Sequence, residues 1–404
     1  MKYVILVGDG MADLPLPELN GKTPLEAAKT PNMDQIAKEG IAGWVKNIPS
    51  GMQPGSDVAS LSVFGYDPTK DYTGRAPLEA ASMGVELDKD EVAFRCNFVT
   101  IENGVMRDFT AGHISSEEAK ELISFLEGEL GSREINFHSG VSYRNLVVIK
   151  NGPEGAECIA PHDITDKKIE NYLPKGDGTE LLNSLMEKSI KLLANHPVNQ
   201  KRIAQNKRPA SMIWLWGQGK APKVQTLFDR YKLVGSVIAA VDLIKGIGVY
   251  AGLDVINVPG VTGYIDTNYQ GKAEYALKSL KNKDFVFVHV EAPDEAGHEG
   301  DLAKKIKAIE DFDRLTVGTI LVGIKKFKEF KILVLPDHPT PISLKTHTSD
   351  PVPFAMFGTG IEADQVTAFN EKAVSHSKLK LERGYELIDL FIKGVNHNVA
   401  KRHY

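Results

Sequence analysis

The chain has 404 residues, of which 42% are hydrophobic and 25% are charged, and its formal net charge is -5 at pH 7. This composition is typical of a globular protein with one large core or two ordinary ones. A weakly acidic chain lacks the broad basic surface with which proteins bind nucleic acid, so the expected partners are small molecules. A site for an anionic molecule then needs its own local group of basic residues.

The cysteines and the apolar runs indicate the cellular compartment in which the protein is expected. Cys96 and Cys158 show no Cys-x-x-Cys spacing, which argues against both a disulfide framework and a thiolate metal site. The first apolar run is too short for the hydrophobic part of a secretory signal, and no run approaches the roughly 20 apolar residues that cross a bilayer. We therefore expect a cytoplasmic protein without a membrane partner.

Three short apolar runs predict the strands of a parallel sheet. Residues 3–7, 285–290 and 332–335 are nearly all apolar, as strands buried on both faces are. Helical patterns lie between them, which suits crossover connections, at residues 32–39, 116–128, 180–193, 271–280 and 302–327. The predicted fold is α/β, a mostly parallel sheet flanked by helices. Ligands of such sheets bind beyond the carboxyl ends of the strands, so polar residues there are candidate site residues.

The middle of the chain follows a different pattern. Between residues 86 and 218, strand-like segments at 92–101 and 143–149 are mixed with two of the helical segments. This mixture predicts an inserted α+β domain at residues 86–218, within a core domain formed by residues 1–85 and 219–404.

The N-terminal part contains two candidate site residues, Asp9 and Ser56. Asp9 follows the first run directly, where an aspartate is ordinarily a turn or capping residue. Ser56 follows Pro54 and Gly55 at the expected start of a helix, where serine is ordinarily a cap. The same position offers free N–H groups and the positive end of the helix dipole, which favour a bound phosphate and an ionised hydroxyl. A serine nucleophile of this kind needs activation, which a divalent metal can supply.

A group of aspartates and histidines follows the later strands. Asp294 and His298 are four apart, so one helical turn places them on one face. Asp337 and His338 follow the run 332–335 directly, and His347 lies in the loop beyond. Each has an ordinary explanation as a helix face or a turn, but all are expected at one sheet edge. Carboxylate and imidazole ligands without thiolates suit Mn²⁺ or Zn²⁺, and with the two N-terminal candidates they suffice for two ions.

In their order and local settings, these residues resemble the metal-and-serine set of the alkaline-phosphatase superfamily. Within it, the cofactor-independent phosphoglycerate mutases of the archaeal type are similar over nearly the whole chain. The likeness rests on residues 54–68 and on the motifs Lys22-Thr23-Pro24-Leu25-Glu26-Ala27-Ala28, Tyr72-Thr73-Gly74-Arg75-Ala76-Pro77-Leu78-Glu79-Ala80 and Ala93-Phe94-Arg95-Cys96-Asn97. The resemblance implies an alkaline-phosphatase-like core with an inserted cap domain.

The resemblance also implies a reaction and a set of ligands. It predicts a mutase that interconverts 3-phosphoglycerate and 2-phosphoglycerate through a phosphoserine at Ser56, with two divalent metal ions and without 2,3-bisphosphoglycerate. One ion would be held by Asp294, His298 and His347, and the other by Asp9, Ser56, Asp337 and His338. The inserted domain would close over the substrate and keep water from the phosphoserine.

The resemblance also suggests substrate ligands in the inserted domain. Arg95, His113 and Arg144 are candidates for binding the substrate carboxylate and phosphate, and planar guanidinium groups suit both anions. His162 and Asp163 are candidates for orienting the substrate, and Lys245 in the core domain is a candidate for binding its phosphate. The remaining histidines are expected in structural or solvated positions: His138, His196, His289, His376, His397 and His403.

Three alternatives share these residues. The segments 8–13 and 81–85 resemble a bacterial sub-branch of the family, some of whose members are proposed to be homoserine kinases. The acceptor of the phosphoryl group therefore stays open between phosphoglycerate, homoserine and water, since the serine and metals would be the same. A catalytically silent metal-binding scaffold is the third alternative, and the complete ligand set argues against it.

Overall fold

The computed structural model describes residues 1–394. They form two compact units, the first made of residues 1–72 and 223–394 and the second of residues 73–222. His397 and His403, which the sequence places in structural or solvated positions, lie outside the described residues.

The second unit begins earlier than the sequence suggested, at residue 73 and not at residue 86, and ends at residue 222 and not at 218. The helix Arg75–Ser82 accounts for the earlier start. Its Ala76 and Ala80 are buried against Ala93 and Leu146 of the sheet that follows in the chain. The sequence of a short helix with small buried residues does not indicate on which part of the protein the helix packs.

The strands are, in chain order, β1 Lys2–Gly8, β2 Ile41–Val45, β3 Glu91–Glu102, β4 Val105–Asp108, β5 Ile135–Val141, β6 Arg144–Lys150, β7 Met212–Gly219, β8 Gly235–Ile238, β9 Asp254–Val255, β10 Phe285–Val290, β11 Phe330–Leu335, β12 Val352–Gly358 and β13 Lys380–Leu381. The α-helices are α1 Pro24–Ala27, α2 Pro31–Glu39, α3 Ser56–Val63, α4 Pro68–Asp71, α5 Arg75–Ser82, α6 Ser116–Leu130, α7 Thr179–Ala194, α8 Pro197–Ala204, α9 Leu227–Tyr231, α10 Asp242–Tyr250, α11 Tyr269–Ser279, α12 Ala292–Glu299, α13 Leu302–Asp311, α14 Gly318–Ile324, α15 Glu371–Val374 and α16 Leu387–Lys393. Short 3₁₀ turns lie at Pro17–Leu19, Pro161–Ile164, Ile169–Asn171 and Gly384–Glu386.

The first unit is built on one large sheet with the strand order β13-β2-β12-β11-β1-β10-β8-β9. All neighbouring strands are parallel except β12, which runs antiparallel to both β11 and β2. Strand β1 lies between β10 and β11, and helices bury both faces of these three apolar strands, as their composition predicts. The predicted mostly parallel α/β sheet is confirmed.

Strand register brings the candidate segments to one edge of this sheet. Gly8 of β1 pairs with Val290 of β10, and Val7 pairs with Leu335 of β11. Residues that follow these three strands therefore start at the same level, beyond the carboxyl ends. Asp9 and the Asp337 loop meet there for this reason.

The helical segment predicted at residues 302–327 differs from the structure. It ends at Ile324 and contains a π-helical stretch, Phe312–Val317, between α13 and α14. Within that stretch, the buried Asp313 accepts hydrogen bonds from the Met33 backbone N–H at 2.7 Å and from the Asn32 side chain at 2.8 Å. The Asp313 carboxylate thus provides hydrogen-bond acceptors for the first turn of α2. The periodicity of apolar residues in the sequence does not indicate this contact.

The second unit contains an antiparallel sheet of order β4-β3-β6-β5, with β7 paired to β3. Helices α6 and α7 contribute to its apolar core, and α6 begins with a capping box formed by Ser115 and Glu118. This is the α+β composition expected for the inserted domain. In the part of the chain that the structure describes, no helix is both long and apolar enough to cross a membrane.

Candidate functional site

The turn after β1 allows close packing of the site. Gly10 has a φ of 58°, and a Cβ atom there would lie 2.5 Å from both Asp294 Oδ1 and Thr340 Oγ1. Its backbone N–H donates a hydrogen bond to Asp337 Oδ1 at 3.2 Å. Only glycine combines this left-handed conformation with this approach, so the Gly8-Asp9-Gly10 sequence fixes where Asp9 lies.

Asp9 is the centre of the site and is 1% exposed. Its Oδ2 lies 3.2 Å from His289 Nε2 and 3.5 Å from Ser56 Oγ, and its Oδ1 lies 3.4 Å from His338 Nε2. Burial raises the pKa of Asp9 well above its ordinary value, and the nearby carboxylate of Asp337 raises it further. Concentrated buried negative charge of this kind favours binding of a cation.

Ser56 is the first residue of α3, and the capping position before it is occupied by Gly55. Its hydroxyl lies 3.1 Å from His338 Nε2, so the side chain faces the buried acidic group. Burial lowers the pKa of His338 and favours its neutral form. The ordinary explanation of Ser56 as a helix cap does not describe its contacts.

A second cluster surrounds Asp294 on α12. Asp294 Oδ2 lies 3.2 Å from His298 Nε2 one helical turn later, and Oδ1 lies 3.4 Å from His347 Nε2. The two imidazole Nε2 atoms are 2.9 Å apart. Burial alone would raise the pKa of Asp294, but hydrogen bonds with His298 and His347 hold it well below its usual range. The hydrogen bond to Asp294 raises the pKa of His298 to about 9.

The donor set fits divalent metals. Among the residues that the structure describes, three groups have ligand atoms within 4.8 Å of one another: Asp294, His298 and His347; Asp9, His289 and Asp337; and Asp9, Asp294 and His338. Within residues 1–394, the buried atoms Asp9 Oδ1 and Asp337 Oδ2 and both ring nitrogens of His289 have no hydrogen-bond partner. A bound cation would satisfy these ligand atoms and would also separate the facing imidazole nitrogens. Mixed oxygen and nitrogen ligands suit Mn²⁺ or Zn²⁺.

Sequence reasoning missed two residues of this site, His289 and Thr340. His289 was grouped with the structural histidines, yet it is fully buried and faces Asp9. Burial lowers its pKa to about 4, so it is a neutral potential ligand. The sequence feature that could have identified His289 is its position as a polar residue near the end of an otherwise apolar central strand. The Thr340 hydroxyl hydrogen-bonds to Asp294 Oδ1 and lies 3.3 Å from His338 Nδ1.

Two fully buried lysines support the same region. Lys305 Nζ pairs with Asp13 Oδ2 at 2.7 Å and donates to the Thr340 carbonyl at 2.7 Å. Lys272 Nζ donates to the His289 carbonyl at 2.7 Å, and burial lowers its pKa to about 8. Lys245, the predicted phosphate ligand, lies in α10 with its Nζ 3.2 Å from Asp242, and its charge contributes to the lowered pKa of Lys272.

In the second unit, two of the predicted substrate residues, Arg95 and His162, lie beside Trp216. The buried Arg95 guanidinium lies 4.2 Å from the Trp216 ring, and its Nε lies 2.9 Å from Glu79. Burial lowers the pKa of Arg95 to about 10. The His162 ring lies 5.4 Å from Trp216, with Nε2 3.7 Å from Asp163. Burial lowers the pKa of His162, although the nearby Asp163 carboxylate acts to raise it.

Arg144 and His113 complete the predicted set in this unit. Arg144 is exposed, lies over the Tyr143 ring at 5.7 Å, and helps to lower the pKa of Arg95. Arg75, which sequence reasoning missed, acts on Arg95 in the same way. His113 is exposed, and within residues 1–394 no hydrogen bond or ring contact joins its side chain to this group. We call Arg75, Arg95, Arg144 and His162 the basic patch.

The raised pKa of His298 predicts a pH dependence of the metal-free protein. Between pH 6.5 and 8 the folded chain keeps the His298 proton while the unfolded chain releases it, so the contribution of His298 to the free energy of unfolding decreases as pH rises. Denaturant unfolding of chelator-treated protein should therefore show a smaller stability difference between wild type and His298→Asn at pH 8 than at pH 6.5. His376→Asn, at an exposed position, is the control. Equal pH dependence in wild type and His298→Asn would contradict the prediction.

The comparisons with known proteins agree with this geometry. A family profile described as 2,3-bisphosphoglycerate-independent phosphoglycerate mutase matches residues 37–199. A protein of that name from Methanosarcina acetivorans is 56% identical over 397 residues, which cover 97% of this chain and 100% of the relative.

Solved structures agree as well. A Pyrococcus horikoshii protein has a TM-score of 0.83 and 32% identity, covering 97% of this chain and 96% of its own. The cofactor-independent phosphoglycerate mutase of Thermoplasma acidophilum has a TM-score of 0.67 and 28% identity, covering 97% and 99%. With this identity along almost its whole length, the chain belongs to the family of 2,3-bisphosphoglycerate-independent phosphoglycerate mutases.

Proposed function

We propose that this chain interconverts 3-phosphoglycerate and 2-phosphoglycerate through a phosphoserine at Ser56. The observation that carries the proposal is the position of the Ser56 hydroxyl, 3.1 Å from His338 and 3.5 Å from Asp9. The substrate class follows from the names of the relatives. Such an isomerisation is a step of glycolysis, with which the predicted cytoplasmic setting agrees.

We infer that two divalent cations, Mn²⁺ or Zn²⁺, belong to the site. Asp294, His298 and His347 would hold one, and Asp9, Ser56, Asp337 and His338 the other. When bound, they would lower the pKa of the serine hydroxyl and neutralise phosphoryl oxygens. The unsatisfied atoms of Asp9 and Asp337 support this assignment.

The chain's own residues position and conserve the phosphoryl group. Ser56 opens α3, where the helix dipole and backbone N–H groups favour a phosphoryl group on its oxygen. The hydroxyl loses its proton and forms the new P–O bond, while the bond to the substrate 3-oxygen breaks and that oxygen takes up a proton. The 2-hydroxyl of the same glycerate then loses its proton and attacks the phosphoserine. The bond from phosphorus to the Ser56 oxygen breaks, and that oxygen takes up a proton. No second phosphorylated cofactor is consumed or required.

Binding of the substrate anion requires cations, and the basic patch supplies them in the second unit. Its Arg95 is held by Glu79 and Trp216, so its planar donors are oriented before any ligand binds. We propose that Arg95, Arg144 and His162 bind the substrate carboxylate or phosphate. Closure of this unit over the substrate, with exclusion of water, stays a prediction, as do the roles of His113, Asp163 and Lys245.

A substrate screen tests the reaction. Protein reconstituted with Mn²⁺ should convert 3-phosphoglycerate to 2-phosphoglycerate in the absence of 2,3-bisphosphoglycerate, with little release of inorganic phosphate. The same preparation is incubated with phosphomonoesters, and with homoserine and ATP. Phosphate release or homoserine phosphorylation without isomerisation would replace the proposed acceptor by water or by an amino-acid hydroxyl.

Thr340 is expected to affect metal affinity without contacting substrate. Thr340→Val keeps the side-chain shape but removes the hydrogen bond to Asp294, so Mn²⁺ affinity should fall by about 10- to 100-fold. Thr348→Val is the matched control, since the Thr348 hydroxyl in the same loop makes no hydrogen bond to any of residues 1–394. Affinities are measured by Mn²⁺ titration of metal-free protein. Equal affinity in the two variants would show that the Thr340 hydroxyl does not act on the metal site.

A further inference from the structure

The first unit contains a cleft of about 780 Å³ that none of the candidate metal ligands lines. Its walls come from the segment after Asp9, from the turn before α1, and from the sheet edge formed by β2 and β13. This volume lies within the range of about 300 to 1,000 Å³ found for small-molecule sites. The proposed mutase reaction makes no use of the cleft.

The sheet edge gives the cleft an aromatic surface with lysines on either side. Trp44 of β2 is in register with Lys380 of β13, so the two side chains lie on the same face of the sheet. Lys46 follows the end of β2 directly and also lines the cleft, and its Nζ donates a hydrogen bond to Ser50 Oγ at 2.9 Å. Trp44 is partly buried against the core and also lines the cleft, as do both lysines. A ring beside two ammonium groups suits a planar group attached to an anion.

Carboxylates also line the cleft, and two of them are already paired. Asp13 is matched by buried Lys305 at 2.7 Å, and Glu26 lies 3.7 Å from Lys372. Asp350 and Glu382 are exposed carboxylates at the cleft, suited to accept hydrogen bonds from ligand hydroxyls. The cleft thus offers an aromatic surface, carboxylate acceptors and ammonium donors together.

We propose that this cleft binds a nucleotide. The base would stack on Trp44, the sugar hydroxyls would donate to Asp350 or Glu382, and the phosphate would accept hydrogen bonds from Lys46 and Lys380. These are the three parts of a nucleoside phosphate, and each has a complementary group in the cleft. Inorganic phosphate would leave the indole surface without a partner and most of the volume empty.

A hydrogen-bonded chain connects the cleft to the metal-binding residues. Asp13 lines the cleft and pairs with Lys305, which donates to the Thr340 carbonyl, and the Thr340 hydroxyl bonds to Asp294. All four groups are buried, and Asp13 lines the same cleft, so the charge of a nucleotide phosphate bound there acts on Asp13 and through this chain on the support of Asp294. We expect bound nucleotide to change Mn²⁺ affinity by about fivefold or more, in the usual range of coupling between sites.

Calorimetric titration of the Mn²⁺-loaded protein with AMP tests the site, with adenosine and inorganic phosphate as separate arms. AMP should bind more tightly than either. The double variant Lys46→Ala/Lys380→Ala should bind AMP about tenfold more weakly or worse, because it lacks two charge-assisted hydrogen bonds to the phosphate. Its mutase activity should be unchanged. Lys378→Ala, at an exposed position outside the cleft, is the matched control and should bind AMP as wild type does.

Two results would overturn the nucleotide site, and a third would overturn its coupling to the metal-binding residues. AMP binding that is equal in wild type and in the double variant would place the nucleotide elsewhere, for example at the metal ions. Inorganic phosphate that binds as tightly as AMP would show a simple anion site. Tryptophan emission provides an independent measurement, since Trp44→Phe should abolish quenching by AMP while binding persists. AMP binding without a change in Mn²⁺ affinity would overturn the coupling.

Discussion

Ser56→Ala is expected to abolish turnover, with a loss of at least about a thousandfold in kcat, because it removes the oxygen that accepts the phosphoryl group. The fold should be retained, since Gly55 and not Ser56 occupies the capping position of α3. Incubation with 3-phosphoglycerate labelled in its phosphate, followed by acid quench, should leave label on the wild-type chain and none on the variant.

Ser60→Ala is the matched control for this experiment. Ser60 lies in the same helix and is fully buried, and its hydroxyl has no hydrogen-bond partner in the described part of the chain. Its removal should leave both kcat and the labelled intermediate nearly unchanged. If Ser56→Ala kept wild-type turnover, the phosphoserine reaction and the two-metal assignment built around it would both fail.

Asp9→Asn is expected to have opposite effects on activity and on stability. Activity should fall by about a thousandfold or more, because Asp9 belongs to two of the three candidate ligand groups and contacts Ser56. The metal-free protein should melt at a higher temperature. Burial and Asp337 raise the pKa of Asp9, so ionising it opposes folding at neutral pH, and asparagine carries no charge.

Asp13→Asn provides the contrast. Asp13 is similarly buried, but its charge is matched by Lys305 at 2.7 Å. Loss of one partner leaves an uncompensated buried ammonium, a change that costs about 3 to 5 kcal/mol in other proteins, so this variant should melt at a lower temperature. Thermal melts of both variants, each with and without Mn²⁺, measure the difference. A lower melting temperature for metal-free Asp9→Asn than for wild type would contradict the account of its electrostatics.

Much of the candidate site could be predicted from the sequence because several of its residues follow the carboxyl ends of strands. Asp9 and Asp337 follow apolar runs that can only be buried strands, and parallel strands bring their carboxyl ends to one edge. Asp294 and His298 have the spacing of one helical turn, and the structure places them 3.2 Å apart. Local periodicity and the geometry of parallel sheets are sufficient for these residues.

The supporting residues could not be predicted in this way. His289 and Thr340 become parts of the site through the strand register and a loop path that no local pattern specifies. Lys305 appears as one lysine on a charged helix, and only packing shows that it is buried on Asp13. Arg95 was predicted as a substrate ligand, but its contacts with Glu79 and Trp216 depend on how α5 and β7 pack on β3.

The sequence by itself determined the α/β class, the residues at the strand ends and the family to which they belong. It could do so because a short apolar run is enough to identify a buried strand, and the parallel direction of such strands places their carboxyl ends at one edge of the sheet. The tertiary structure alone decided which polar groups are desolvated, which are paired, and where the second unit begins. Those properties depend on contacts between residues far apart in the chain. The free energy of a buried charge depends on its neighbours in space, as the opposite surroundings of Asp9 and Asp13 illustrate.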